Sequence, residues 1–104
     1  MKTMERIERI RQMEACLEQA STAVKELSAA LEQYENAQEA IRELNKYLGS
    51  RQWQQDCKAD EDGMLPKDLK RGVLSEDGIW NVLEESHQTD VRMLEVVTER
   101  MRHA

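Results

Sequence analysis

The sequence predicts an all-α protein: a long antiparallel, coiled-coil-like helical hairpin, joined by a compact connector of short helices and turns and completed by oligomerisation. Three observations carry this. Apolar residues in the first half fall at Ile7, Ile10, Met13, Leu17, Ala20, Val24, Leu27, Leu31, Tyr34, Ala37, Ile41, Leu44 and Leu48, always three or four apart, which is a helical stripe. Residues 1–48 contain neither proline nor glycine, whereas "LPKDLKRGVLSEDGIW" at 65–80 holds the only proline and two of the four glycines. The composition is 35% charged and lacks phenylalanine, as in long helices rather than sheets.

The first helix is expected over about residues 4–48. Its spacing repeats a three at Met13 and again at Ala37, so the heptad is not strict. "AST" at 20–22 is a candidate break, because Ser and Thr favour caps over helix interiors. Gly49 suits the left-handed position after the last turn. A connector of about 50–74 follows. Ser50 suits the N-cap of a short helix on which Trp53 and Cys57 share a face. "DED" at 60–62 and Gly63 end that helix. Pro66 suits the first position of another short turn, with Gly72 closing it. Leu65, Leu69, Val73 and Leu74 supply buried faces. Ser75 caps a second long helix over about 76–102, where Gly78 stands in place of the Glu or Gln of a capping box. Its stripe runs through Ile79, Trp80, Leu83, His87, Val91, Leu94, Val97 and Met101. With 104 residues, the whole is read as a single helical domain.

"YLGSRQWQQD" (47–56), "DGMLPKDLKRGVLSED" (62–77) and "WNVLEE" (80–85) resemble the DUF4298 family of small bacterial proteins of unknown function. The resemblance implies a tyrosine-rich helix end, a Ser and a Trp–Asp step, then the LP…LKRGVLSED run and a leucine-rich helix. Trp80 stands where the family pattern has tyrosine. The family carries no assigned activity, so the resemblance implies a domain and not a reaction.

Charge excludes some roles. Residues 1–48 carry 7 basic and 9 acidic groups, 49–74 carry 5 and 5, and 75–104 carry 3 and 7. An acidic last third argues against nucleic-acid binding and against anionic membrane surfaces. "MKTMERIERIRQ" has no apolar run, so no signal peptide is expected and the compartment expected is cytoplasmic. Cys16 and Cys57 are then read as free thiols.

Candidate sites are few. Lys67, Lys70 and Arg71 precede a helix N-terminus that suits an anion, but Glu76 and Asp77 already occupy it; the plainer reading has Lys70 and Arg71 paired with those acids. Glu84 and His87 form a Glu-x-x-His pair, too few ligands for a metal, so no metal or other cofactor is expected. "DED" lacks calcium-loop spacing and is read as solvated. Neither cysteine has a neighbouring histidine, and no phosphate loop or hydrolase motif is present, so no catalytic residue is assigned.

Trp53 and Trp80 are read as core fillers, with Asp56, Leu65, Pro66, Leu69, Lys70, Arg71, Gly72, Val73, Leu74 and Ser75 as the rest of a structural or partner-binding motif. A helix over 4–47 spans about 66 Å and one over 76–102 about 40 Å, which leaves Ile7, Ile10, Met13 and Leu17 uncovered in a hairpin. The expected function is a non-enzymatic helical interaction or scaffold protein that forms a homo-oligomer, a dimer by preference, and binds neither nucleic acid nor membrane. The alternatives are a small metal- or ligand-binding enzyme using Glu84 and His87 or the Lys70–Arg71 turn, and a nucleic-acid accessory using Arg6, Arg9 and Arg11 with Lys67, Lys70 and Arg71.

Overall fold

A computed structural model describes residues 2–104. It is all-α: helices α1 (Lys2–Asn36), α2 (Gln38–Tyr47), α3 (Arg51–Glu61) and α4 (Gly78–Arg102), a 3-10 turn over Gly72–Leu74, and no strand among the described residues. The chain divides into two compact units, Met1–Gln38 and Glu39–Ala104.

The first unit is α1. It is built from strong helix formers and runs through Ser21 without interruption. The break in the expected 4–48 helix lies at Ala37 instead, where the apolar spacing repeats a three. The Ala37 N–H is shared between Gln33 O at 3.0 Å and Tyr34 O at 3.2 Å. Gln38 Nε2 also donates to Tyr34 O, at 3.1 Å, and this extra donor accompanies the interruption of the helical ladder. None of the described residues of α1 is buried.

The second unit is organised by helix ends. Gly49, at φ +77°, follows α2 in the left-handed conformation that its position required. Ser50 caps α3, its Oγ accepting the Trp53 N–H at 3.1 Å. Gly63, at φ +71°, closes α3: its N–H reaches Asp60 O at 3.1 Å and the Met64 N–H reaches Ala59 O at 2.9 Å. This pair of bonds is a Schellman motif, which satisfies carbonyls the helix leaves open.

The next segment departs from expectation. Pro66 does not begin a helix; it opens a single turn in which the Leu69 N–H reaches Pro66 O at 3.3 Å. Gly72 does not end a helix but starts the 3-10 turn, which touches both α3 and α4. Ser75 is not the N-cap residue expected: α4 begins at Gly78, with Asp77 at its N-cap, and Glu76 and Asp77 stand before the helix instead of in its first turn, although the Ser75 side chain still meets the first helical N–H. Ser75 Oγ accepts the Gly78 N–H at 3.1 Å and donates to Gly72 O at 2.7 Å. That compact turn explains the glycine where a capping box would have Glu or Gln. A Cβ at position 78 would lie 2.2 Å from Gly72 O and 2.8 Å from Ser75 Oγ, inside contact distance.

The core also differs from the sequence reading. Among the described residues Ile79 is the one buried hydrophobic side chain, 2% exposed, while Trp80 is 54% exposed. The capped first turn aims Ile79 inward and leaves the adjacent indole outside. Trp53, Leu65, Leu74 and Leu83, in the same unit, are half-buried.

Two stability outcomes follow. Ile79→Ala should lower the unfolding free energy by about 2–5 kcal/mol, the range for a buried aliphatic side chain, and Trp80→Ala by clearly less. A urea melt in which Trp80→Ala is the costlier change would reverse this assignment. Gly78→Ala should cost about 1–3 kcal/mol through the clash with the Gly72 carbonyl. Gly72→Ala, which has open space around its Cβ, is the control and should stay within about 0.5 kcal/mol plus any helical gain.

Candidate functional site

The residues singled out in the connector meet on one face of α3. Trp53, Cys57 and Asp60 are four and three residues apart, so they form a row along that helix. Each reaches the irregular segment that follows. Trp53 Nε1 donates to Val73 O at 2.9 Å, and Cys57 Sγ donates to Leu74 O at 3.6 Å. Asp60 accepts from Arg71 Nη1. Arg71 then turns back on its own loop: Nη2 donates to Pro66 O at 2.7 Å and Nε to Leu69 O at 3.4 Å.

The logic is one of backbone satisfaction. A segment without regular structure has carbonyls with no ladder to join, and they need donors from elsewhere. Here the carbonyls of Pro66, Leu69, Val73 and Leu74 receive side-chain donors, and that of Gly72 receives Ser75. The planar guanidinium suits this task, because its donors leave in several directions at once. Asp60 fixes its orientation. Arg71 and Asp60 are each about one-third exposed, at 34% and 30%, so their pairing is partly shielded from solvent.

This corrects two expectations. Arg71 pairs with Asp60 rather than with Glu76 or Asp77, and "DED" is not simply solvated: Asp60 holds Arg71, and Asp62 pairs with Lys58 at 3.2 Å. Asp60 was detectable from its helical spacing to Trp53 and Cys57. Lys67 and Lys70 are exposed, as are Leu69 and Val73, while Leu65 and Leu74 are half-buried. Asp56, three residues after Trp53 and four before Asp60, borders that row; it accepts from the Tyr47 hydroxyl at 2.5 Å and so ties the end of α2 to α3.

The chemistry of the site is that of a fastener. The Cys57 thiol is pushed up by its partial enclosure, then by Asp56, Asp60 and Glu61, which favours the protonated donor over a nucleophilic thiolate. Cys16 is exposed on α1. Glu84 accepts from Gln88 Nε2 at 3.3 Å and His87 is exposed. Among the described residues no three or more His, Cys, Asp or Glu side chains are grouped so that they would hold a metal ion. No described helix is long and apolar enough to cross a membrane. On α1 the stripe residues Ile7, Ile10, Met13 and Leu17 are all exposed.

The model of a domain of unknown function, DUF4298, matches residues 10–96, so the chain belongs to that family. No curated protein and no solved structure matches the chain.

Tyr47 gives the site a measurable signature. Its hydroxyl is raised from 10.0 to about 12, first by the hydrogen bond it donates to Asp56, then by partial burial and by the charges of Asp56 and Cys57. The folded chain therefore holds a proton that the unfolded chain releases. This contribution to stability is complete below pH 10 and is lost as pH rises from 10 toward about 12. In a Tyr34→Phe background, tyrosinate absorbance should titrate well above 10, and Asp56→Asn should bring the midpoint down. An unchanged midpoint after Asp56→Asn would show that the bond does not govern this hydroxyl.

Proposed function

We propose that this member of the DUF4298 family is a non-enzymatic helical interaction protein whose first partner is a second copy of itself, joined through α1. The observation that supports this is the apolar row on that helix. Ile10, Met13, Leu17, Val24, Leu27 and Leu31 are 37–67% exposed. Burying a side chain of this size stabilises by about 1.5–3 kcal/mol, so a helix carrying such a row gains most when another apolar row covers it. Helices in proteins draw most of their stability from packing of this kind rather than from propensity.

The connector fits the same role. Its distinctive groups are occupied in holding the loop to α3, which makes them parts of a framework and not a reaction centre. Arg71 in particular already serves a carboxylate and two carbonyls, so the basic turn favours no anionic ligand.

Light scattering at several concentrations should give a mass of about twice the chain at tens of micromolar. Leu17→Glu should move it to the monomer, and Ala15→Glu, on the opposite side of α1, should leave it unchanged. A wild-type monomer at those concentrations would refute the proposal.

A further inference from the structure

Two Asp-Gly steps stand in the second unit, Asp62–Gly63 and Asp77–Gly78. Such steps are prone to isomerise, because glycine has no side chain to shield its nitrogen. That nitrogen attacks the aspartate Cγ, and a five-membered succinimide closes as water leaves with the amide proton and a carboxyl oxygen. Water then adds back at either ring carbonyl and gives aspartate or isoaspartate, so the mass is unchanged. In isoaspartate the backbone runs through Cβ and Cγ and is one carbon longer.

The fold blocks both steps in the same two ways. Ring closure needs the glycine nitrogen to eclipse the aspartate Cβ. At ψ 3° for Asp62 and −17° for Asp77 it eclipses the aspartate's own nitrogen instead. The attacking N–H is also occupied, at Gly63 by Asp60 O at 3.1 Å and at Gly78 by Ser75 Oγ at 3.1 Å. Isomerisation therefore waits on local opening of the turn. The two guards are not equal. Gly63 sits in the Schellman motif, where the bond from the Met64 N–H to Ala59 O must also break, and Lys58 holds the Asp62 carboxylate back along the helix at 3.2 Å. Gly78 has a single side-chain hydroxyl, and Asp77 makes no side-chain cap bond that would restrain its carboxylate.

We propose that Asp77 is a modification site gated by Ser75: opening of the Ser75 turn exposes the Asp77–Gly78 step to succinimide formation, and the isoaspartate that results keeps the turn from closing again. The second half follows from spacing. Ser75 Oγ reaches forward to the Gly78 N–H and back to Gly72 O at once, and the turn is packed so closely that even a Cβ at 78 would lie 2.2 Å from Gly72 O. A backbone one carbon longer between Ser75 and Gly78 displaces that N–H from its acceptor. Ile79 follows directly, and the capped turn is what aims it inward. The modification is thus a one-way release of the start of α4 from the connector.

Ageing of the full-length protein at neutral pH and physiological temperature tests this, with isoaspartate at Asp62 and Asp77 read separately from proteolytic peptides by electron-transfer fragmentation. In the wild type Asp77 should convert far more slowly than in the denaturant-unfolded chain. Ser75→Ala should raise the rate at Asp77 several-fold and leave Asp62 unchanged, and Ser75→Thr, which keeps an Oγ, should stay close to the wild type. A rate at Asp77 that Ser75→Ala does not alter would overturn the gate. A rise shared equally by Asp62 would overturn it too, because protection would then belong to the fold as a whole. A wild-type rate at Asp77 equal to that of the unfolded chain would show that the turn guards nothing. Chains carrying isoaspartate at 77, separated from the rest, should unfold at lower denaturant than unmodified chains; equal midpoints would overturn the one-way release.

Discussion

The need of the connector's backbone carbonyls for donors is the constraint on which the second unit depends. From Pro66 to Leu74 the chain makes one turn and one short 3-10 segment, too little to satisfy itself. Helix α3 answers with a row of donors and an acceptor on one face, and Arg71 returns donors from within the loop. The positions of Gly72, Ser75, Gly78 and Ile79 follow from this arrangement. Once Val73 and Leu74 are held against α3, the turn at Ser75 has to be tight, and a tight turn leaves no room for a Cβ at 78.

Much of this was legible in the sequence because it is local. Gly49, Ser50, Gly63 and Ser75 act within four residues of themselves, and cap chemistry reads directly from residue type. The all-α class was legible for the same reason, since spacing and the absence of breakers in residues 1–48 leave few other outcomes. The rest needed the third dimension. Arg71 had acids nearby in sequence, at Glu76 and Asp77, yet its partner is Asp60 across the loop. Trp80 is the larger apolar group, yet the cap geometry turns Ile79 inward. The interruption at Ala37 coincides with an irregular step in the apolar spacing, but that spacing does not say whether a helix bends, breaks or rewinds.

The two units divide the functional reading between them. In Glu39–Ala104 the side chains of Trp53, Asp56, Asp60 and Arg71 are directed at other parts of the same chain. In α1 the apolar residues of regular period, Ile10, Met13, Leu17, Val24, Leu27 and Leu31, are exposed. The first pattern specifies a shape. The second leaves an apolar row open to solvent.

The side-chain rungs between α3 and the loop also bear on the order of folding. The longest, Trp53 to Val73, closes 20 residues of chain, and the shortest, Asp60 to Arg71, closes 11. Loops of about ten residues close in roughly 10–100 ns, and local contacts of this kind belong to fast-folding topologies. The connector can therefore assemble from its own neighbourhood at a rate independent of protein concentration. Whatever α1 gains from another chain must arrive in a bimolecular step whose rate rises with concentration. On the self-association proposal, a freshly made chain would thus finish its irregular part first, and the helix with the simplest sequence would be the last to reach its final surroundings.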